Sequence, residues 1–300
     1  MELIVQTKTG RVKGVEIEGV NAWFGIPFAE PPIGDLRFKR AQPVNPWKGT
    51  KDCTIYGNAP IQFIGTHPKE SEDCLNLNIW APKGAKNLPV LVWFYGGGFH
   101  YGFNSDPSYD GVRMASKGVV RVNINFRLGP LGYYDFNQFD ESFDTNCALS
   151  DQIEGLKWVK ENIEAFGGDP NNITIFGESG GGVAVYDLLA SPAARGLFQK
   201  SIAQSGLPRA SGGREFTRII MPHFLEYLGI KPEEVTKLKT MDIAKIKEAG
   251  SRFYNDLVKL YEGIFIPGPF FGDDLLPERP WIAIKNGSAE GVDVIFVSVK

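Results

Sequence analysis

A chain of 300 residues with 43% apolar and 22% charged residues can bury a sizeable core, which excludes an intrinsically disordered protein. The formal net charge of −3 gives no reason to expect nucleic acid or an anionic membrane as a partner. The first ten residues lack the basic start and apolar stretch of a signal peptide, and no apolar run is long enough to span a membrane. We therefore expect a cytoplasmic protein.

The pattern of apolar residues predicts an α/β fold. Residues 3–24 alternate and are broken by glycines, which indicates short antiparallel strands. Further strands are predicted at residues 75–80, 89–95, 119–126, 173–176 and 201–204, and helices at 149–163 and 181–189. Strands that alternate with helices imply a mostly parallel central sheet with helices on both faces.

The last third of the chain changes character. Residues 212–259 are mostly helical in pattern, and we interpret residues 207–290 as a helical, cap-like excursion within a single domain that spans residues 1–300. A short helix and a strand at residues 292–299 follow. Three cysteines, Cys53, Cys74 and Cys147, are few and odd in number, which favours reduced thiols over a disulfide framework.

The segment Gly177-Glu178-Ser179-Gly180-Gly181 has the form G-x-S-x-G. This pattern alone is a weak signal, but here a predicted strand precedes it and a predicted helix follows it. That context is required to present a serine on a sharp strand-to-helix turn as a nucleophile. The alternative is an ordinary glycine-rich turn that holds a phosphate.

A glycine triplet, Gly96-Gly97-Gly98, follows the buried strand predicted at residues 89–95. Attack by a serine on a carbonyl places negative charge on oxygen, and preorganised amide donors stabilise that charge. A glycine loop after an earlier strand and the residue after the serine, here Gly180, are where such donors occur. By itself the triplet could equally be a flexible turn.

The sequence resembles the type B carboxylesterase family, which includes bacterial esterases and the cholinesterases. The stretches that carry the resemblance are GIPFAEPP from residue 25, SEDCLNLNIW from residue 71, FGESGG from residue 176 and FQKSIAQSG from residue 198. The resemblance implies an α/β-hydrolase fold, with Ser179 as nucleophile and Gly97, Gly98 and Gly180 as the oxyanion hole. It also suggests two ion pairs, Arg37 with Glu72 and Arg127 with Asp169, although these charges could instead be independently solvated.

The chain departs from the family pattern in informative places. The family usually pairs the cysteine at position 74 with one slightly upstream, where this chain has Pro60, so we expect Cys74 to be free. No tryptophan occurs at residues 61–70, where the cholinesterases bind a quaternary ammonium, and a choline ester is therefore an unexpected substrate.

The rest of a catalytic triad is not evident. In α/β-hydrolases an Asp or Glu and then a His follow the serine, but the acid position falls near the end of this chain. Of the three histidines, His67, His100 and His223, none follows that position. We expect a C-terminally truncated or frameshifted esterase or a natural partial protein, with His100 or His223 as a substitute base only if it reaches Ser179.

The sequence therefore predicts a carboxylic ester hydrolase that acts on a small-molecule ester through an acyl-serine intermediate, with nucleophile and oxyanion hole in this chain. Phe99, Tyr101 and Phe103 suggest an apolar acyl pocket, although they could simply anchor the loop. No metal cluster or cofactor motif is present, and no cofactor is expected. The alternative is a catalytically silent member that binds a ligand or partner. An uncovered last strand would also favour self-association through the sheet edge.

Overall fold

The computed structural model describes residues 3–261 and 267–298. Its strands are β1 (Ile4–Gln6), β2 (Arg11–Lys13), β3 (Val15–Ile17), β4 (Val20–Pro27), β5 (Thr50–Asp52), β6 (Asn76–Pro82), β7 (Leu88–Phe94), β8 (Val120–Ile124), β9 (Gly168–Glu178), β10 (Lys200–Gln204), β11 (Gly212–Gly213), β12 (Phe270–Phe271) and β13 (Asp293–Val297). Its α-helices are α1 (Val112–Ala115), α2 (Gly129–Gly132), α3 (Cys147–Asn162), α4 (Gly180–Ala190), α5 (Arg214–Tyr227), α6 (Ile243–Tyr261) and α7 (Pro280–Lys285). Among these residues, none of the helices combines the length and apolar character needed to cross a membrane.

Eight strands form the main sheet, in the order β13-β10-β9-β7-β8-β6-β4-β3. The five strands from β13 to β8 pair in parallel, whereas β6, β4 and β3 are antiparallel to their neighbours. Helix α3 connects β8 to β9, and α4 connects β9 to β10, as strands that run in parallel require. This mixed sheet confirms the predicted α/β class.

Burial follows the predicted periodicities. The five apolar residues predicted on one face of the helix at 149–163 are each 2% exposed or less (Leu149, Ile153, Leu156, Val159 and Ile163). A Cβ on Gly155 would lie 2.9 Å from the side chain of Ile124, so the glycine lets α3 approach β8 closely. On β7, Val90, Val92 and Phe94 on one face are fully buried and Trp93 on the other is only 7% exposed, so this central strand is covered on both faces there.

Strand β9 is longer than predicted. It begins at Gly168 rather than at residue 173, because an extended segment pairs Gly168 with Leu88 of β7 before the register shifts. The sequence Gly167-Gly168-Asp169-Pro170 predicts a break, and the break is only partial: Gly167 has a φ of 84°, and extended chain resumes at once.

The helices predicted at residues 212–259 are confirmed. They are α5, a 3-10 segment at Pro232–Lys239, and α6. The predicted last helix and strand correspond to α7 and β13, and the end of that predicted strand, Val299, lies outside the described residues. All three cysteines are buried and free.

The two suggested ion pairs had different outcomes. Arg37 and Glu72 are paired, with Nε and Oε1 2.6 Å apart, as predicted. The pair between Arg127 and Asp169 is wrong: Arg127 binds Asp151 instead, at 2.6 Å between Nη2 and Oδ1. Arg127 follows the carboxyl end of β8, whereas Asp169 lies at the amino end of β9. Because β8 and β9 both run parallel to β7, the carboxyl end of β8 and the amino end of β9 lie a full strand length apart.

Candidate active site

Ser179 occupies the sharp turn between β9 and α4. Its φ is 56° and its ψ is −119°, a backbone conformation that L-residues rarely adopt and that is typical of a nucleophile presented on a strained elbow. The turn is held at both ends, because the Ser179 amide donates to the Gln204 carbonyl at 2.9 Å and its carbonyl accepts from the Val183 amide at 3.0 Å. The side chain is partly exposed, so a substrate can reach the hydroxyl.

The glycines around Ser179 are required by close backbone contacts. A Cβ on Gly177 would overlap the Gly181 carbonyl, and a Cβ on Gly181 would overlap the carbonyl oxygen of Phe94. Gly180 is different, because its Cβ would lie 3.2 Å from the Gly98 nitrogen, a contact that a small shift can relieve. The first two positions therefore fix the elbow, while the third faces a separate loop.

That loop, residues 96–102, is named the glycine loop here. A Cβ on Gly96 would lie 3.2 Å from the Ser179 Cβ, so the loop contacts the serine turn directly. Gly97 and Gly98 have φ values of 114° and 56°, which explains why glycine is suited to these positions. The structure thus brings together the four residues that the sequence singled out, Ser179, Gly97, Gly98 and Gly180.

Three amides around Ser179, those of Gly97, Gly98 and Gly180, have no acceptor among the residues that the structure describes. Within the described part of the chain, the N–H groups of Gly97 and Gly98 make no hydrogen bond. Gly180 is the first residue of α4, so its N–H has no acceptor within the helix, and the positive end of the helix dipole lies beside the serine. These groups can bind an anion or a developing oxyanion.

His100 supports the glycine loop rather than the nucleophile. Its Nδ1–H donates to the carbonyl oxygen of Gly98 at 2.7 Å, and its ring packs on Tyr254 with centroids 4.3 Å apart. Burial lowers the pKa of His100 to about 4, although the hydrogen bond to Gly98 opposes this shift. The imidazole is therefore neutral at physiological pH.

The other two histidines lie elsewhere. His223 is exposed on α5 with Glu226 3.5 Å away, and the ring of His67 packs against Phe103 at 4.3 Å. Across residues 3–261 and 267–298, no histidine is hydrogen-bonded to Ser179. The expectation that His100 or His223 could act as the base finds no contact to Ser179 to support it.

The three aromatic residues predicted to line an acyl pocket have different surroundings. Phe99 is 3% exposed and packs against Tyr133 with ring centroids 4.9 Å apart, whereas Tyr101 is 49% exposed. Phe103 is half-buried against His67. Only Tyr101 presents much of its surface to solvent beside the loop, and the acyl pocket stays a prediction.

A family model described as the carboxylesterase family matches residues 1–300. The chain belongs to the carboxylesterase family. Among curated proteins it is 41% identical over 303 residues to para-nitrobenzyl esterase of Bacillus subtilis (strain 168), covering 98% of this chain and 61% of the relative. It is 43% identical over 220 residues to fumonisin B1 esterase of Sphingopyxis macrogoltabida, covering 69% of this chain and 41% of the relative.

Solved structures agree with this assignment. A para-nitrobenzyl esterase structure superposes with a TM-score of 0.92 at 40% identity, covering all of this chain and 64% of the other. The structure of a carboxylesterase from Geobacillus stearothermophilus superposes with a TM-score of 0.90 at 35% identity, and the match covers 61% of that chain. The fold is thus the α/β-hydrolase fold, and the chain spans less than two thirds of the length of each of these relatives.

Sequence reasoning missed how this chain holds its glycine loop. Gln62 donates to the Gly102 carbonyl at 3.1 Å and accepts from the Gly102 amide at 2.8 Å. The glutamine lies 40 positions away in the chain, so no local pattern links it to the loop. A polar residue between Ile61 and Phe63, both buried, is the one signal that could have drawn attention to it.

Proposed function

We propose that this chain carries the nucleophile and oxyanion hole of a carboxylic ester hydrolase. Ser179 is the nucleophile, and the amides of Gly97, Gly98 and Gly180 are the oxyanion donors. The observation that carries the proposal is the contact between the strained Ser179 elbow and a loop whose Gly97 and Gly98 amides have no acceptor within the described residues.

The chemistry follows from that arrangement. The Ser179 Oγ forms a bond to the ester carbonyl carbon, its proton passes to a base, and the carbonyl π electrons move to oxygen, where the amides bind the charge. Collapse of the intermediate reforms the carbonyl and breaks the bond to the alkoxide oxygen, which takes the proton from the base and leaves as the alcohol. Water then hydrolyses the acyl-serine by the same steps and regenerates the hydroxyl.

The base for these proton transfers is not identified within the described residues. A serine enzyme without its histidine keeps only the rate enhancement given by substrate binding and the oxyanion hole, roughly 10³–10⁴-fold over water. The proposal for this chain is therefore reactivity at Ser179, and full turnover requires an acid and a histidine in addition.

Labelling with an alkyl fluorophosphonate, located by mass spectrometry, tests the proposal. We expect covalent modification of Ser179 at a rate above that of free serine, and none in Ser179→Ala. Ser116→Ala, which removes an exposed hydroxyl at the end of α1, is the matched control and should label like the original chain. Modification that persists in Ser179→Ala would rule out the assigned nucleophile.

A catalytically silent, ligand- or partner-binding protein is the second candidate. The observation that favours it is the lack of any histidine bonded to Ser179 in residues 3–261 and 267–298. Absence of labelling in a sample that unfolds cooperatively would support this reading and reject the hydrolase.

The substrate class proposed is a small-molecule ester with an apolar or aromatic acyl group. The support comes from Phe99, Tyr101 and Phe103 beside the glycine loop, and from relatives whose names specify para-nitrobenzyl and fumonisin B1 esters. Acetylcholinesterases are also similar, at 42% identity over 228 residues for that of Danio rerio, but residues 61–70 hold no tryptophan. A cytoplasmic location and the cap-like role of residues 207–290 stay predictions.

We also propose that the chain self-associates through β13. This strand is the edge of the described sheet, and Ile295, Phe296 and Val297 are 55%, 49% and 48% exposed. An exposed apolar edge is a template for pairing with another strand. Sedimentation should show oligomers that Ile295→Lys reduces and that Ile33→Lys, at a 51% exposed loop position, leaves unchanged. A monodisperse monomer would contradict this.

A further inference from the structure

The glycine loop is held from its outer side by residues 62 and 63. The Gln62 side chain bonds both polar groups of Gly102, and the Phe63 amide donates to the His100 carbonyl at 2.8 Å. The loop is thus held by hydrogen bonds at His100 and Gly102, two residues apart, as residues of paired strands are. Neither tether contacts Ser179, so both act through the loop backbone.

Gln62 is well suited to hold a fixed backbone position. It is only 3% exposed, and its amide nitrogen also donates to the Pro60 carbonyl at 2.7 Å. Gly102 has a φ of 116°, and a Cβ there would lie 2.5 Å from the Tyr95 ring, so this end of the loop is confined. A buried side-chain amide with three hydrogen bonds, one to Pro60 and two to Gly102, loses much if it moves, which makes it a rigid anchor.

One face of helix α6 supports this anchor. Lys247 Nζ lies 2.6 Å from Glu70 Oε1, and Glu70 Oε2 accepts from the backbone N–H of Gln62 at 2.9 Å. One turn further along, Ser251 Oγ donates to the Phe63 carbonyl at 2.7 Å.

Two further contacts come from the same face of α6. Tyr254, seven residues after Lys247, packs on the His100 ring at 4.3 Å. Gly250 lies between Lys247 and Tyr254 in the helix. A Cβ added to Gly250 would lie 2.7 Å from the Phe63 ring, so the lack of a side chain there lets α6 pack closely on Phe63. Positions 247, 251 and 254 are spaced by four and three residues, which places them on one helical stripe.

We propose that Gln62 is a positioning residue for the ester chemistry, and that the stripe of α6 formed by Lys247, Ser251 and Tyr254 holds it and the glycine loop in place. This inference rests on the proposed function for its catalytic meaning. It assigns to the helical excursion the task of fixing the oxyanion donors, in addition to any role as a cover.

The physical reason is that amide donors stabilise an oxyanion only when they are already aimed at it. Displacement of the loop by about 1 Å can cost roughly a hundredfold in rate. Because Gln62 bonds both the N–H and the C=O of Gly102, it restrains rotation of the two peptide groups that flank this residue. That end of the loop then cannot relax away from Gly97 and Gly98.

Gln62→Met tests the proposal in the 300-residue protein, because methionine keeps the length of the side chain and lacks the amide. Hydrogen–deuterium exchange should show faster exchange of the Gly102 amide, by up to about tenfold for the loss of one hydrogen bond. Labelling of Ser179 by the fluorophosphonate should slow by about tenfold or more. Gln138→Met is the matched control, since its amide donates at 2.7 Å to the Asp135 carbonyl, away from the loop.

Two α6 variants keep the test valid if Gln62→Met fails to fold. Lys247→Met removes the partner of Glu70, and Ser251→Ala removes the bond to Phe63; each should give smaller changes of the same sign in both measurements. Lys245→Met, at an exposed position on α6, should change neither.

The two readouts separate the two proposals. Unchanged exchange and unchanged labelling in Gln62→Met would overturn the positioning role while leaving the hydrolase intact. If Ser179 of the original chain is not labelled at all, the hydrolase proposal fails, and so does the predicted effect of Gln62 on the labelling rate. Exchange at Gly102 then decides whether Gln62 anchors the loop.

Discussion

Arg127 and Asp151 form a buried bidentate ion pair that joins the end of β8 to helix α3. Nε of Arg127 lies 2.8 Å from Oδ2 and Nη2 lies 2.6 Å from Oδ1, and the Arg127 amide also donates to Oδ2 at 3.0 Å. The two residues are 2% and 0% exposed. Because α3 also contacts β9 and α4, the two elements that flank Ser179, this pair helps to fix the scaffold on which Ser179 is mounted.

Asp151→Asn should be strongly destabilising, because it leaves the Arg127 guanidinium buried without its counter-charge. The expected loss in the free energy of unfolding is about 3–5 kcal/mol, measured by urea denaturation. Asp169→Asn is the control: Asp169 accepts a hydrogen bond from the Asn171 amide, which asparagine can also accept, so a change of no more than about 0.5 kcal/mol is expected. Equal losses in the two variants would contradict the assigned pairing.

This pair also shows what the sequence could not reveal. Asp151 lies within a helix that was predicted from its apolar face, and its partner is 24 positions earlier in the chain. No local pattern marks a charge that will be buried against a distant one. The alternative partner, Asp169, could have been rejected from the predicted strands alone, since the amino end of one parallel strand is remote from the carboxyl end of another.

The serine turn was predictable for the opposite reason. The elbow at Ser179 depends on residues that are adjacent in sequence, with glycines at 177 and 181 forced by contacts within the strand-turn-helix unit and with β7. The glycine loop was also predictable, because it follows directly on β7. Its tethers were not: Lys247 and Glu70 are 177 residues apart, and helical periodicity alone does not say which neighbour a helix face will meet.

A pair of alanine substitutions separates the two kinds of glycine in the serine turn. In Gly181→Ala the new Cβ would overlap the Phe94 carbonyl oxygen, which belongs to a central strand and cannot move away. We expect a loss of about 3 kcal/mol or more in the free energy of unfolding, and loss of fluorophosphonate labelling. Thermal melting followed by circular dichroism measures the first effect.

Gly180→Ala should be tolerated by comparison. Its Cβ would lie 3.2 Å from the Gly98 nitrogen, and a shift of a few tenths of an ångström relieves that contact. The expected loss in stability is below about 1 kcal/mol, and labelling should persist. A melting temperature as low as that of Gly181→Ala would show that the glycine loop is more rigid than these contacts imply.

Arg37 connects the N-terminal part of the chain to the helical excursion. Besides its bidentate pair with Glu72, its Nη1 donates to the carbonyls of Leu238 and Met241, at 3.2 Å and 2.6 Å. Arg37→Met should loosen the end of the 3-10 segment Pro232–Lys239 and the residues that follow it, because the carbonyls of Leu238 and Met241 lose the guanidinium donor. Faster hydrogen exchange in residues 232–241 is expected, with little change in β9.

Arg37→Lys is the informative companion variant. Lysine keeps the charge but cannot form the planar fork that binds Glu72 and the carbonyls together. We expect exchange intermediate between that of the original chain and that of Arg37→Met. Exchange identical to the original chain would show that charge alone, without the geometry, holds the segment.

Asp187 should make stability depend on pH. It is 2% exposed within α4, the helix that follows the serine turn. Burial raises its pKa from 3.8 to about 8, opposed by the hydrogen bond that it accepts from Ser211 Oγ at 2.5 Å. Between these two pH values the folded chain keeps a proton that the unfolded chain has lost. Stability therefore falls as pH rises through that window, by at most about 1.4 kcal/mol per pH unit from this group.

Asp187→Asn removes this dependence, since asparagine stays neutral and can still accept from Ser211. Urea unfolding at pH 4, 6 and 8 should give nearly equal stabilities for the two proteins at pH 4, and an advantage for Asp187→Asn that grows at each step. The comparison at pH 4 is an internal control, because the folded protein then carries no charge at position 187 in either form. A constant difference across the three pH values would mean that Asp187 is ionised in the fold throughout, and that a cationic partner has been overlooked in α4's surroundings.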